Sequence, residues 1–287
     1  MVHNYSPLQQ EIPLLAIAIA DKFGTLPQVL TVALAGSRTT GVSSESSDFD
    51  FYVYLQEEIP VDIRKAIAQE FAERLEINNQ FWEPGDEWVD ISSGCGVDVM
   101  YRTPQWIEEQ LDRVLVQHQA SVGYSTCFWW NVLTSVPLYE SKGWFKQLQE
   151  KANQPYPETL KKAIIAKNYP ILRRNVSSYT HQLEVAIHRD DSVSIIHRTA
   201  VLLASYFDIV FAINAVPHPG EKRLIEWVKK LCSKVPDGME WQIRTIKDSM
   251  SLSSGNLSLL HHLNVLIDGL DQLLIHEGLI TESGELV

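Results

Sequence analysis

The stretch Leu34-Ala-Gly-Ser-Arg-Thr-Thr-Gly-Val-Ser-Ser-Glu-Ser-Ser-Asp-Phe-Asp-Phe-Tyr-Val-Tyr54 decides the fold of the first part of the chain. An apolar run that ends at Gly36 and Ser37 predicts a strand followed by a turn, and the run from residue 48 predicts a second strand. Because side chains alternate between the two faces of a strand, Asp48 and Asp50 share one face. The phenylalanines beside them point into the core.

Two carboxylates on one strand face favour a bound cation. Like-charged carboxylates raise each other's pKa, and a divalent ion relieves this repulsion. The Gly36-Ser37 turn adds a glycine where the backbone can approach a ligand, free N–H groups, and a hydroxyl that can donate to phosphate oxygens. These residues together predict a site for a metal-bound triphosphate. The alternative is an ordinary aspartate-rich turn, which the apolar residues after Asp50 disfavour.

The pattern Gly36-Ser37, ten residues, then Asp48-Phe49-Asp50-Phe51 resembles the signature of the DNA-polymerase-β-like nucleotidyltransferase superfamily. The form Gly-Ser-Arg, with Ser47 before the first aspartate, resembles the bacterial aminoglycoside and lincosamide nucleotidyltransferases. The resemblance implies an enzyme that moves a nucleoside monophosphate, foremost AMP from ATP, onto a hydroxyl group. It also implies two Mg²⁺ ions, bridged by the aspartates.

A third carboxylate follows on a predicted strand. The stretch Gly96-Val-Asp-Val-Met-Tyr101 alternates between apolar and polar residues and places Asp98 on one face. In the superfamily an acidic residue on a neighbouring strand completes the metal site or acts as the base, and the resemblance implies this role for Asp98. The alternative is a surface aspartate on an edge strand. The expected catalytic and metal-binding residues are thus Asp48, Asp50 and Asp98.

The resemblance also implies a set of nucleotide-binding residues: Gly36, Ser37, Arg38, Ser47 and Lys222. Ser37 and the backbone at Gly36 are expected to hold phosphate oxygens, and Arg38 to face the leaving pyrophosphate. Lys222 is expected in the first turn of a helix over 221–234, where the helix dipole disfavours a cation unless a phosphate is bound. A solvated helix start, with Lys222 paired to a nearby glutamate, is the equal alternative.

The element pattern predicts the α+β class. A small mixed-sheet nucleotidyltransferase domain, 1–103, is followed by an all-helical bundle domain, 104–287, that would bind the acceptor. An N-terminal helix at 7–24 precedes the signature, an amphipathic helix begins at Pro60, and 79–102 forms two strands and a turn. After 103 no strand is expected, and the helices are expected at 158–168, 171–189, 191–216, 221–234, 240–251 and 256–277.

Composition restricts the class of substrate and the compartment. The 287 residues carry a net charge of −12 and have a pI of about 5.2, without the basic stripe that long nucleic acids require. A small-molecule acceptor is therefore favoured. Three scattered cysteines predict free thiols. The sequence contains no uninterrupted run of 18 apolar residues, so no membrane span is expected. We expect a cytoplasmic protein without a membrane partner, and its oligomeric state stays open.

Several alternatives remain open from the sequence alone. A protein-modifying adenylyltransferase or an idle nucleotide-binding module would carry the same signature, and a housekeeping role is as compatible as antibiotic resistance. Arg174 and His181 share a predicted helix face and resemble the Arg-x(4–6)-His pattern of the HEPN ribonucleases. A structural role on the helix is the commoner reading of such a pair. Asp208 is either a base that reaches the acceptor or, more commonly, a buried hydrogen-bonded carboxylate.

Overall fold

The structure, a computed structural model, describes residues 12–287 except 42, 43, 45, 82 and 251–255. The predicted N-terminal helix is observed as α1, Leu14–Gly24, and the predicted residues 7–11 lie outside the described part. The three cysteines are free thiols.

The first half of the chain builds one six-stranded sheet. Its strands are β1 Val29–Ala35, β2 Phe49–Leu55, β3 Ala72–Asn79, β4 Gly85–Asp90, β5 Gly96–Arg102 and β6 Val136–Glu140, in the spatial order β3-β4-β5-β2-β1-β6. Strands β2 and β5 are parallel, and the other neighbouring pairs are antiparallel. Five helices accompany them in sequence: α2 Ser37–Thr40, α3 Val61–Gln69, α4 Pro104–Leu115, α5 Cys127–Thr134 and α6 Trp144–Ala152. The mixed sheet confirms the predicted α+β class.

The core of the sheet lies on the face opposite the signature aspartates. Phe49, Phe51 and Val53 of β2 are buried there with Val97 and Val99 of β5. Apolar residues of α1 and α3 join the same cluster. Burying this face fixes the register of β2, because a shift by one residue would move the phenylalanines into solvent.

Strand β6 contradicts the prediction that no strand follows residue 103. It pairs antiparallel with β1, and its Pro137 lies opposite Ala33 at the edge of the sheet, a position where a strand tolerates proline. Chain contacts consequently divide the protein into two units. The first contains the described residues up to Arg113 and Phe128–Pro155, and the second contains Val114–Cys127 and Tyr156–Val287. Pairing with β1 thus places Val136–Glu140 in the first unit.

The second unit is helical. It contains α7 Glu158–Arg173, α8 Tyr179–His188, α9 Ser192–Ile213, α10 Leu224–Leu231, α11 Met239–Ser249 and α12 Asn256–His276. The predicted break near residue 170 is wrong, because α7 continues through Pro170 and ends at Arg173. The chain resumes as a helix after Ser178, whose hydroxyl accepts from the backbone N–H of His181. Arg174 and His181 therefore do not share one helix face.

Helix α9 is the apolar centre predicted for the bundle. Within the described residues it is the one helix long and apolar enough to cross a membrane, yet 67% of its apolar window is buried inside the protein. It packs against α7 and α8. These contacts are typical of the core helix of a helical bundle.

Candidate functional site

Strands β2 and β5 bring two of the predicted carboxylates together. The strands run parallel, and their register places Asp50 directly opposite Asp98. Neighbouring strands lie about 4.8 Å apart, so the two side chains leave the same face side by side. Asp48 precedes the strand by one residue and is exposed, whereas Asp50 and Asp98 are half-buried. Because Asp48 lies outside β2, a face shared with Asp50 stays a prediction.

The Gly-Ser turn lies against the carboxylate of Asp50. Gly36 follows β1, and its φ of 69° is in the region that favours glycine. A Cβ atom at this position would lie 1.9 Å from Oδ2 of Asp50, where no side chain fits. Both the conformation and the space therefore require glycine, and Ser37 begins α2 beside the aspartate.

Gly96 is a site residue that the sequence analysis missed. It begins β5, and a Cβ atom there would lie 2.6 Å from Oδ1 of Asp48. A glycine inside a strand often marks the close approach of another group, so its place at the start of the strand was the available signal. The carboxylate of Asp50 thus lies against Gly36, just after β1, and that of Asp48 lies against Gly96, at the start of β5. Strands β1 and β5 flank β2 on opposite sides.

A row of acidic residues crosses four adjacent strands. The register pairs Asp50 with Asp98, Asp98 with Glu87, and Glu87 with Glu76. Like charges directly opposite each other on a sheet are unfavourable. Burial, and after it the negative charges of Asp50 and Glu87, together raise the pKa of Asp98 from 3.8 to about 6. The row is therefore a face on which negative charge is concentrated.

Arg38 holds the loop that carries Asp48. Its Nε donates to the backbone oxygen of Asp48 at 3.1 Å, and its Nη2 donates to the backbone oxygen of Ser47. The guanidinium also stacks 3.7 Å above the ring of Phe49. The Ser47 hydroxyl accepts from the backbone N–H of Ser44 at 2.8 Å. These contacts make Arg38 and Ser47 positioning residues for the first aspartate.

Lys222 lies in the second unit, whereas the other predicted site residues lie in the first. The predicted helix over 221–234 is shorter in the structure, where α10 begins at Leu224. Arg223 has a φ of 56° and cannot belong to the first turn of a right-handed helix. Lys222 is exposed in the turn before it. Its predicted place inside the helix is therefore wrong.

The carboxylates provide the oxygen ligands that Mg²⁺ prefers. Asp50 and Asp98 share one face of the sheet, and burial, followed by the negative charges of Asp50 and Glu87, raises the pKa of Asp98. In the described ranges, however, no three Asp, Glu, His or Cys side chains converge closely enough to enclose an ion. The donor set fits a divalent cation, and its side chains would have to rotate to close around one.

Asp208 and Arg174 have structural partners in the second unit. The carboxylate of Asp208 accepts from the backbone N–H of Ser125 at 3.1 Å, from its hydroxyl at 2.6 Å, and from Asn168 at 3.3 Å. Burial raises the pKa of Asp208 to about 7. Arg174 donates to the backbone oxygen of Ser283 at 2.6 Å. The buried, hydrogen-bonded alternative therefore describes Asp208.

Similarity to known proteins is found among solved structures. The sequence matches no protein-family model. It matches no curated protein. Among solved structures, it resembles a nucleotidyltransferase-like protein from Exiguobacterium sibiricum 255-15, with 10% identity and a TM-score of 0.41 over 91% of this chain and 73% of that chain. Similarity at this level does not identify an activity.

Proposed function

We propose that the protein is a Mg²⁺-dependent nucleotidyltransferase that moves a nucleoside monophosphate, foremost AMP from ATP, onto a hydroxyl group. The observation that carries the proposal is the register of β2 and β5, which places Asp50 opposite Asp98 on one face. Asp48 lies two residues before Asp50, and Gly36 lies against the Asp50 carboxylate. This combination matches the chemistry implied by the signature.

In the proposed reaction the acceptor oxygen attacks the α-phosphorus of the nucleoside triphosphate. The bond from that phosphorus to the bridging oxygen breaks, and pyrophosphate leaves. Asp98, whose pKa of about 6 lies close to neutral pH, would take the hydroxyl proton. Ser37 and the backbone at Gly36 would hold phosphate oxygens. Asp48, Asp50 and Asp98 would hold Mg²⁺. The ion would neutralise charge on the triphosphate and lower the pKa of the acceptor hydroxyl.

The acceptor that we propose is a small molecule with a hydroxyl group, similar to an aminoglycoside or a lincosamide. The acidic row and the net charge of −12 favour a cationic or neutral molecule over a polynucleotide. The apolar helix α9 is mostly buried, which supports a soluble protein, and we propose that it acts in the cytoplasm.

Pyrophosphate release tests the proposal. The protein would be incubated with Mg²⁺ and each of ATP, GTP, CTP and UTP, across a panel of aminoglycosides and lincosamides. Asp50→Asn keeps the shape of the side chain and removes its charge. Asp21→Asn on α1 is the control, because it makes the same chemical change at an exposed position outside the site. We expect acceptor-dependent release that Asp50→Asn abolishes and Asp21→Asn preserves.

Other outcomes separate the alternatives. Release without a small acceptor, together with an adenylyl mass added to a protein in lysate, would favour the protein-modifying enzyme. Nucleotide binding without pyrophosphate release would favour the idle module. Activity that survives Asp50→Asn unchanged would refute the proposed site.

A further inference from the structure

A cavity lies at the end of β2 and β5 away from the aspartates. Its volume is about 520 Å³, within the usual range of small-molecule sites. It opens where β2 and β5 end, and its lining includes Leu55, Arg64, Asn78, Tyr101, Arg102 and Thr103. Leu55 is five residues beyond Asp50, so this end of the cavity is about 16 Å from that aspartate. It is therefore distinct from the proposed nucleotidyl-transfer site.

Arg64 is one of two buried arginines in this cavity. Its exposure is 7%, and it reaches the cavity from α3. Nη1 lies 3.3 Å from Oδ1 of Asp86, and Nη2 donates to Oδ1 of Asn78 at 3.0 Å. Its Nε is buried and has no hydrogen-bond partner among the described residues. One donor of this guanidinium therefore lacks a hydrogen-bond partner among the described residues.

Arg102 repeats this arrangement from the end of β5. Its exposure is 6%. Nε and Nη2 donate to the two carboxylate oxygens of Glu83 at 2.7 and 2.8 Å, and the guanidinium lies 3.7 Å above the ring of Tyr52. Its Nη1 is buried and lacks a partner in the part of the chain that the structure describes. These contacts hold the guanidinium in one orientation before any ligand binds.

We propose that this cavity binds a small organic anion whose carboxylate or phosphate oxygens accept from Arg64 Nε and Arg102 Nη1. A buried donor without a partner is unfavourable, and an anionic acceptor is the strongest partner for a guanidinium. Two such donors in one cavity point to a ligand rather than to a single packing defect. Leu55, Ile59 and Tyr101 supply the surface that would contact the body of the molecule.

The outer part of the cavity restricts the charge of the ligand. Glu57 and Glu58 also line it, and both are exposed, whereas the arginines are buried. A ligand with one anionic group at the buried end avoids these glutamates. A polyanion such as a nucleoside triphosphate would meet repulsion from them. The cavity is therefore suited to a ligand with a single anionic group, or to a zwitterion.

Direct binding measurements test this proposal. The full chain would be titrated with pyruvate, L-alanine and glycerol 3-phosphate, with glycerol as the neutral control and citrate as the polyanion. We expect at least one of the first three to bind, more tightly than citrate, and glycerol not to bind. Arg102→Gln should weaken binding about tenfold or more. Arg173→Gln is the matched control, because Arg173 is an ion-paired arginine of the second unit.

Two further variants keep the test decisive if Arg102→Gln fails to fold. Glu58→Lys replaces an exposed glutamate of the cavity with a cation and should strengthen anion binding about threefold to fivefold. Asp50→Asn should leave this binding unchanged while it abolishes nucleotidyl transfer, which separates the two sites. The proposal is overturned if none of the three anions binds, or if Glu58→Lys leaves their affinity unchanged.

Discussion

Gly96→Ala should strongly reduce the proposed nucleotidyl transfer without unfolding the protein. The added Cβ atom would lie 2.6 Å from Oδ1 of Asp48, and ordinary contact begins at 3.4 Å. The carboxylate must therefore move by about 0.8 Å, and a displacement of about 1 Å at a reacting centre can reduce the rate about 100-fold. The moving atom is the end of an exposed side chain, and Gly96 does not have a positive φ. The fold should therefore accommodate the change.

The assay for Gly96→Ala measures two quantities on the same preparation. Pyrophosphate release should fall about 100-fold in kcat. Thermal unfolding should show a midpoint equal to or above that of the original protein, because glycine-to-alanine changes stabilise by about 0.4–1 kcal/mol where the backbone allows them. Gly269→Ala is the matched control, since its Cβ would make only ordinary contacts at 3.4 and 3.5 Å. Full activity in Gly96→Ala would show that the position of the Asp48 carboxylate is unimportant and would refute the reasoning.

Three further predictions concern the site and the helical unit. Gly36→Ala should abolish activity and also lower stability by about 1–2 kcal/mol, measured by urea unfolding, because it forces alanine into a left-handed conformation as well as against Asp50. Arg38→Met should accelerate proteolysis of the loop before Asp48 and lower kcat, with the stack on the neighbouring ring partly kept. The raised pKa of Asp208 means that the folded protein holds a proton which the unfolded chain releases above about pH 4. Stability should therefore fall between pH 4 and 7, by on the order of 4 kcal/mol, and Asp208→Asn should flatten this slope in pH-dependent unfolding.

Local patterns in the sequence predicted the elements that carry the aspartates. Alternation over 48–53 and 96–101 is a property of single strands, so it placed Asp50 and Asp98 on the polar faces of β2 and β5. The partners of those residues depend on strand order and register, which arise from contacts distant in sequence. Glu87, Glu76 and Gly96 were therefore missed, although each lies within a described strand of the same sheet.

The errors in the helical half have local physical causes. Pro170 predicted a break, but packing of α7 against α8 and α9 outweighs the loss of one backbone hydrogen bond. Helix α7 ends three residues later, at Arg173, and the Ser178 cap then starts a new helix. Arg223 adopts a left-handed conformation that no propensity scale assigns to arginine, so α10 begins later than predicted. Tertiary packing overrides the local signal in α7, whereas the conformation of a single residue sets the start of α10.

The acidic row explains why the cation should bind at one end of it. Each like-charged cross-strand pair costs about 0.2–1 kcal/mol, and the row contains three such pairs. Water screens the exposed Glu76 and Glu87, and Asn79 donates to Glu87 at 3.2 Å. Asp50 and Asp98 are half-buried, so their repulsion is screened less, and it is the pKa of Asp98 that is raised. The need for a counter-charge is therefore greatest at Asp50 and Asp98, which is the end of the row where Gly36 and Ser37 would present a triphosphate.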